Sequence, residues 1–152
     1  MELFSIRPME ESDLDLVMYL ENASFISPWG LKEMLYELNE NPVSSLWVIC
    51  SSMTGVVGFI DYWITFDSAT IAQICVNPLY RRRGLGIELL NEAYKDCKAQ
   101  KVRNITLEVR EKNISAIKLY EKFGFKKVLV KTNYYTNGDN AIYMIKDMEE
   151  RI

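Results

Sequence analysis

The sequence predicts an α/β protein, an α+β fold with a mixed sheet, that forms a single domain over residues 1–152. The length of 152 residues suits one hydrophobic core. Apolar residues make up 49% of the chain and charged residues 26%, which is typical of a folded protein. Strand and helix patterns follow each other in the order β-α-α-β-β-β-α-β-α-β-β, and they interleave only in the second half.

The chain opens with one strand pattern followed by a helix pattern. Residues 3–7 read as the strand. Ser12, with Asp15 three residues later, is typical of a helix start in which the two side chains cap the first turn. The helix that follows would carry Leu14, Val17, Met18 and Glu21.

A second helix and a hairpin come next. Ser27 predicts an N-cap, and Pro28 suits the first helical position. The apolar face of this helix would consist of Leu31, Met34, Leu35 and Leu38. Strands at 46–50 and 56–65 are joined by the turn 52–55, which indicates a hairpin.

The second half alternates strands and helices. Residues 71–76 read as a strand, and a helix carrying Leu85, Leu89, Ala93 and Cys97 follows it. The strand 105–110 has apolar residues at odd positions and polar residues at even positions. Asn113 predicts the cap of the next helix and Gly124 its end. A final pair of strands would lie at 125–131 and 141–145.

Charge and composition exclude several classes of protein. A net charge of −3 makes non-specific nucleic-acid binding a poor expectation, whereas a basic protein or an amine would suit the chain as substrate. Six acidic residues could attract a basic peptide: Glu10, Glu11, Glu37, Glu40, Asp61 and Asp67. No apolar run approaches the ~18 residues that a membrane-spanning helix needs, so no membrane partner is expected.

Cysteine and histidine usage narrows the chemistry further. Cys50, Cys75 and Cys97 are widely spaced, which favours reduced thiols in a cytoplasmic protein, and no signal peptide is evident. The chain has no histidine. Metal catalysis and Ser-His-Asp chemistry are therefore disfavoured, and no metal cofactor is expected.

A basic, glycine-containing turn lies between the strand 71–76 and the helix that follows. Its sequence is Arg81-Arg82-Arg83-Gly84-Leu85-Gly86. Free backbone N–H groups at a helix N-terminus attract anions, and glycine allows a ligand to approach the backbone. The turn is not a P-loop and lacks a dinucleotide fingerprint. From these residues alone, a phosphate site and a solvated basic turn are equally plausible.

The pattern Arg-x-x-Gly-x-Gly, in this position between strand and helix, resembles the signature of the GNAT superfamily of acyl-CoA N-acyltransferases. The order of elements is similar to the GNAT fold over nearly the whole chain. The resemblance implies a mostly antiparallel central sheet, splayed at the strands before and after the phosphate-turn helix. It also implies that residues 81–86 bind the pyrophosphate of coenzyme A, with acetyl-CoA as the co-substrate.

Further blocks resemble the ribosomal-protein-alanine acetyltransferases, the RimI group. They are Thr106-Leu107-Glu108-Val109-Arg110, the run from Asn113 to Phe125 with Ala116, Leu119, Tyr120 and Gly124, the triplet Asn133-Tyr134-Tyr135, and Ser27-Pro28-Trp29. Archaeal and eukaryotic N-terminal acetyltransferases share several of these blocks. Together the blocks are more specific than the turn, but because other enzymes share them, they leave the acceptor open.

The resemblance assigns roles to three side chains. Glu108 would accept the proton of the amine, most simply through water; the alternative is an ion pair with Arg110 or a nearby lysine. Tyr120 would protonate the coenzyme A thiolate; the alternative is a core residue with a satisfied hydroxyl. Asn113 would contact the cofactor while it caps its helix.

The remaining predicted site residues lie on the strand before the turn and at the acceptor side. Backbone groups of Ile74, Cys75 and Val76 would bind the acetyl carbonyl and the pantetheine. A covalent mechanism at Cys75 is disfavoured because no histidine is present to activate the thiol. Trp29, Tyr134 and Tyr135 would line the acceptor groove by resemblance, with core packing or ordinary surface positions as the alternative.

The leading hypothesis is an N-terminal protein acetyltransferase that works by direct attack in a ternary complex. The resemblance to the RimI group implies that the acceptor is the N-terminal alanine of a small-subunit ribosomal protein, a basic tail. One alternative is a GNAT enzyme with broader N-terminal, lysine or small-amine acceptors. The other is a non-catalytic acyl-CoA-binding module. The oligomeric state cannot be read from the sequence.

Overall fold

The computed structural model describes residues 1–148. The strands are β1 (Phe4–Pro8), β2 (Ser44–Ser51), β3 (Gly55–Thr65), β4 (Ser68–Val76), β5 (Asn104–Arg110), β6 (Lys126–Lys131) and β7 (Ala141–Asp147). The helices are α1 (Leu14–Ser24), α2 (Leu31–Asn39), α3 (Leu85–Ala99) and α4 (Ile114–Phe123), with short 3₁₀ turns at Glu11–Asp13 and Pro78–Tyr80. The predicted order of elements is confirmed. The last four residues of the predicted domain, 149–152, lie outside the described residues.

The strands form a seven-stranded sheet in the order β1-β2-β3-β4-β5-β7-β6. The pairs β1–β2, β2–β3, β5–β7 and β6–β7 are antiparallel. In contrast, β4 and β5 are parallel, and their pairing in the described residues joins Ser68–Thr70 to Asn104–Thr106. The sheet is therefore mixed and mostly antiparallel, and the short parallel pairing agrees with the predicted splay.

The chain divides into two compact units. The first unit comprises Met1–Trp63 and Ala72–Ala93, and the second comprises Ile64–Ile71 and the chain from Tyr94 onward. Burial of apolar side chains stabilises the first unit through a core of Met9, Leu14, Val17, Leu20, Met34, Val48, Val56, Phe59 and Cys75.

In the second unit, β5 and α4 follow the sequence pattern closely. Along β5 the odd positions are buried and the even positions are partly exposed, so the predicted alternation is confirmed. The Asn113 side chain accepts a hydrogen bond from the Ala116 N–H at 3.2 Å and caps α4. Gly124 ends the helix at φ +110°, a left-handed conformation that favours glycine.

The predicted start of the first helix is wrong in its capping residues. Asp13, not Ser12 with Asp15, organises the turn that precedes α1. Its carboxylate accepts a hydrogen bond from the Glu10 N–H at 2.8 Å. The same carboxylate pairs with both terminal nitrogens of Arg7 at 2.7 and 2.8 Å. This pairing lowers the pKa of Asp13, so the carboxylate stays charged at the start of the helix.

The predicted start of the second helix is also wrong. The segment of Ser27, Pro28 and Trp29 has no helical structure, and Gly30 is the N-cap of α2. The Trp29 N–H donates to the buried Glu21 carboxylate at 2.7 Å, which holds this segment against α1. Leu31 was expected on the apolar face, but it is 52% exposed.

The cysteines and the helices of the described chain give three further facts. Cys50, Cys75 and Cys97 are free thiols. Within residues 1–148 no group of three or more acidic or cysteine side chains is arranged to hold a metal ion. None of the helices in that range is both long and apolar enough to cross a bilayer.

Candidate active site

The basic turn of the first unit has the backbone geometry of an anion site. Gly84 has φ +79°, and the space where a Cβ would stand holds no atom within 4 Å. The helix α3 begins at the next residue, Leu85, two residues earlier than the predicted start after Gly86. N–H groups in the first turn of a helix have no acceptor within that helix. The open space, the helix N-terminus and the adjacent arginines fit a pyrophosphate group.

The three arginines of the turn differ in what they contact. Arg81 Nε donates to the Val76 carbonyl at 3.2 Å and closes the turn onto the end of β4. Arg83 pairs with Glu2 at 3.1 Å, and its guanidinium lies 4.8 Å from the centre of the Tyr80 ring. Arg82 is exposed and has φ +64°. Two of these predicted phosphate ligands thus make local contacts within their own unit, and their role toward coenzyme A stays a prediction.

The strand segment before the turn carries Cys75 in a form unsuited to nucleophilic attack. Its thiol is buried and donates to Ser24 Oγ at 3.1 Å. Burial raises the pKa of Cys75 to about 11, so the thiol is neutral at physiological pH. Ile74 and Val76 flank it with their side chains partly exposed. A Cβ at Gly58 would lie 2.8 Å from the Cys75 carbonyl oxygen, so β3 has to carry glycine there.

A buried carboxylate links Trp29 to β4. Glu21 is fully buried, and its Oε2 accepts hydrogen bonds from the Trp29 N–H at 2.7 Å and from Gln73 Nε2 at 2.8 Å. Burial raises the pKa of Glu21. Gln73 directly precedes the predicted cofactor-binding segment 74–76. The predicted acceptor residue Trp29 and the predicted cofactor strand are therefore held by one side chain that the sequence did not single out.

In the second unit, Glu108 lies among groups that fix its carboxylate. Its Oε2 is 3.1 Å from the ammonium nitrogen of Lys131. The Tyr134 hydroxyl donates to the same carboxylate, and this hydrogen bond is the main cause that raises the pKa of Tyr134. Of the two ion pairs considered from the sequence, the structure forms the one with a lysine. Glu108 therefore contacts a predicted acceptor residue directly.

The segment that carries Tyr134 and Tyr135 is held by Arg110. The guanidinium carbon of Arg110 lies 3.8 Å from the centre of the Tyr135 ring, a cation–π contact. Arg110 also pairs with Asp139 at 3.0 Å, and both side chains are largely buried. The rings of Tyr134 and Tyr135 pack edge to face with their centres 5.1 Å apart. Arg110 thus orients the tyrosine pair from one strand.

Tyr120 is buried on α4, and its ring packs against Phe125 with the centres 5.9 Å apart. A buried ring is common to both interpretations of this residue, as core tyrosine and as general acid. Asn113 acts as a helix cap, as its sequence position predicts. Its contact with the cofactor stays a prediction.

Sequence reasoning missed four polar residues that organise these sites: Glu21, Gln73, Lys131 and Asp139. Their partners are 52 residues away for Glu21 and 29 for Asp139. Glu21 nevertheless carried a signal, because it falls on the apolar face of α1 beside Leu14 and Val17. A charged residue at a buried helical position usually has a specific partner.

Comparison with known proteins decides the family. Residues 14–125 match the acetyltransferase (GNAT) family. The chain belongs to this family. It is an acetyl-CoA-dependent N-acetyltransferase, as the sequence predicts.

Two relatives and one crystal structure give the similarity in detail. The [ribosomal protein bS18]-alanine N-acetyltransferase of Escherichia coli K12 is 30% identical over 135 residues, which cover 89% of each chain. A Bacillus subtilis protein that carries the same name provisionally is 38% identical over 141 residues, 92% of this chain and 93% of that protein. The crystal structure of the E. coli ribosomal-protein-S18-alanine N-acetyltransferase matches with a TM-score of 0.87 at 28% identity, covering 99% of this chain and 97% of that one.

Proposed function

We propose that this GNAT enzyme transfers the acetyl group of acetyl-CoA to the α-amino group of a protein, and that the acceptor is the N-terminal alanine of a small-subunit ribosomal protein. The observation that carries the proposal is the Glu108 carboxylate held by Tyr134 and Lys131. This contact joins Glu108, the predicted proton acceptor, to Tyr134, which is predicted to line the groove for the acceptor peptide. The similarity to bS18-alanine N-acetyltransferases over about nine-tenths of the chain supports the choice of acceptor.

The chemistry of an α-amine suits a carboxylate base. An α-amino group has a pKa of about 7.7–8.0, so roughly a tenth or more is neutral at pH 7, whereas a lysine side chain is almost wholly charged. Glu108, acting through a water molecule, would receive the proton of an amine of which an appreciable fraction is already neutral. An N-terminal acceptor therefore demands less of this site than a lysine would.

Other groups of the chain complete the reaction. Acetyl-CoA supplies the acetyl thioester. A backbone N–H of the segment 74–76 would stabilise the oxyanion that develops on the acetyl carbonyl. The Tyr120 hydroxyl would deliver a proton to the departing sulfur, and Asn113 together with residues 81–86 would hold the cofactor. Direct attack by the amine is favoured because the Cys75 thiol, with a pKa of about 11, is protonated.

Domain organisation and location also remain proposals. The family match at residues 14–125 runs through both compact units, which supports a single GNAT domain over residues 1–152. A ribosomal acceptor implies that the enzyme works in the cytoplasm.

Mass spectrometry after incubation with acetyl-CoA tests the acceptor. The panel contains a basic peptide that starts with alanine, the same peptide with a blocked N-terminus and a free lysine, and a small polyamine. We expect one acetyl group on the α-amine of the first peptide and none on the other substrates. Acetylation of the lysine or the polyamine, with no acetylation of the alanine peptide, would overturn the assignment.

A further inference from the structure

The first unit contains a pocket beside the predicted acceptor residue Trp29, and the transfer of the acetyl group gives the rest of its lining no role. It has a volume of about 430 Å³ and is lined by Trp29, Lys32, Glu33, Tyr36, Glu37 and Trp63. Three of its six lining residues are aromatic, two are acidic and one is basic. A pocket of this size, with mostly apolar walls, has ample room for one long side chain.

Glu37 forms the acidic floor of this pocket, and hydrogen bonds from neighbouring side chains fix its carboxylate. Glu37 is 5% exposed and accepts hydrogen bonds from Trp63 Nε1 at 2.5 Å and from Asn41 Nδ2 at 2.7 Å. It also lies against Asp61, which is fully buried. Burial and the neighbouring Glu37 raise the pKa of Asp61 to about 10, so Asp61 keeps its proton and hydrogen-bonds to Glu37.

This arrangement leaves one fixed negative charge at the floor. Burial alone would raise the pKa of Glu37, but the hydrogen bonds from Asp61, Asn41 and Trp63 hold it below its ordinary value. Glu37 is therefore ionised beside the edge of an indole ring. Glu33 adds a second carboxylate from the exposed face of α2. The expectation that Asp61 itself attracts a basic peptide is wrong, because it is buried and neutral.

Hydrogen bonds connect the pocket to the strand that is predicted to hold the acetyl group. Trp29 lines the pocket with its side chain, and its N–H bonds to Glu21, which in turn bonds to Gln73 on β4. Gln73 directly precedes the segment 74–76. Because these two hydrogen bonds are short, a peptide whose N-terminus lies at that segment can reach Trp29 within a few residues, each of which advances about 3.3 Å when extended.

The chemistry of the walls selects the occupant. The two carboxylates of the pocket, Glu33 and Glu37, outnumber its one lysine, Lys32. An apolar side chain would leave this excess negative charge without a counter-ion, and an acidic one would be repelled. A cationic side chain can stack on the tryptophan faces and pair with both carboxylates. A guanidinium group fits best, because it is planar and binds carboxylates in a forked geometry.

We propose that this pocket is a specificity subsite for an arginine or lysine side chain that follows the acetylated residue of the acceptor peptide. The inference rests on the proposed function, because it assumes a peptide acceptor. Within that function, the pocket is a second recognition element: it binds a cationic side chain of the peptide and not the N-terminal residue.

Kinetics with a peptide series test the subsite. Each peptide starts with alanine and carries a single arginine at the second, third, fourth or fifth position, or methionine at all of them. We expect KM to fall about tenfold for arginine at one of these positions, which corresponds to about 1.4 kcal/mol. Glu33→Gln and Trp63→Leu should abolish this advantage and leave the KM for acetyl-CoA unchanged. Glu40→Gln, at the exposed end of α2, is the matched control and should retain it.

A binding measurement separates this inference from the proposed function. Tryptophan fluorescence is titrated with the same peptides carrying a blocked N-terminus, which cannot react. Binding that depends on arginine and is lost in Glu33→Gln supports the subsite even if no peptide is acetylated, an outcome that would refute only the proposed function. Equal KM values for arginine and methionine peptides in the wild type would overturn the subsite. So would an equal rise in KM for the arginine and the methionine peptides in Glu33→Gln and Trp63→Leu.

Discussion

The Glu108 carboxylate on β5 lies 3.1 Å from the Lys131 ammonium group on β6, across the intervening strand β7. The lysine nitrogen also lies 5.3 Å from the Tyr134 ring centre and 5.2 Å from that of Tyr143. An ammonium group at this distance forms an ion pair with the carboxylate. Lys131 therefore acts as a positioning residue that holds the Glu108 carboxylate where it can receive a proton.

Replacing Lys131 with methionine should lower kcat/KM for the peptide by up to about tenfold, whereas Glu108→Gln should lower kcat at least about 100-fold. The Glu108 carboxylate would lose the ammonium group 3.1 Å away that holds it, so it would be less well placed to receive the proton. The measurement is steady-state kinetics together with the melting temperature of each variant. Lys127→Met, on the same strand, is the control, and an unchanged kcat/KM in Lys131→Met would refute the positioning role.

Tyr120→Phe should lower kcat by about 100-fold or more with little change in either KM. The substitution keeps the buried ring and its contact with Phe125 but removes the hydroxyl that would protonate the leaving sulfur. Steady-state kinetics and the melting temperature are measured together. Tyr94→Phe is a matched control, because Tyr94 also packs edge to face on a phenylalanine, Phe123. If the two variants had equal kcat values, Tyr120 would be a core residue only.

Arg110→Lys should raise the KM for the peptide about tenfold and leave the KM for acetyl-CoA unchanged. Lysine keeps the charge but cannot stack its planar group on Tyr135 while it pairs with Asp139. The tyrosine pair would then lose its fixed orientation. Product formation is measured with each substrate varied in turn. Arg103→Lys is the control, because Arg103 is 63% exposed and its pairing with Asp67 is loose at 3.8 Å. A parallel rise in both KM values would show a general loss of structure instead.

Local patterns explain why much of the fold could be predicted. The alternation along β5 correctly places Glu108 on the face opposite Ile105 and Leu107, because side chains alternate along a strand. Gly124 ends α4 because only glycine adopts φ +110° without strain. These features depend on a few adjacent residues, and the family resemblance then supplied the roles.

Long-range polar contacts explain what could not be predicted. The Glu37–Asp61 pair joins α2 to β3, and the sequence indicates no such pairing, because Asp61 merely interrupts an otherwise apolar run. Ser27 and Pro28 have the pattern of a helix start, but the Glu21 carboxylate accepts the hydrogen bond of the Trp29 N–H. The helix therefore begins only at Leu31. A capping pattern predicts a helix start only while no distant group competes for the same N–H.

The protonated state of Asp61 predicts how stability depends on pH. Its pKa is about 10 in the folded protein, against an ordinary value of 3.8. Between these values the folded state holds a proton that the unfolded state has released, so the contribution of Asp61 to the free energy of unfolding falls as pH rises. It is fully present below the unfolded pKa and is lost on the way up to about pH 10. One proton corresponds to about 1.4 kcal/mol for each pH unit.

Asp61→Asn should therefore flatten the decline of stability between pH 5 and pH 9. The amide cannot ionise, and its N–H can donate to Glu37 as the protonated carboxyl does. Urea unfolding at several pH values should show the variant gaining stability relative to the wild type as pH rises. Asp67→Asn, in the exposed turn between β3 and β4, should keep the wild-type slope. Identical slopes for Asp61→Asn and the wild type would mean that Asp61 is ionised in the folded protein, and the single charge assigned to the pocket floor would then be wrong.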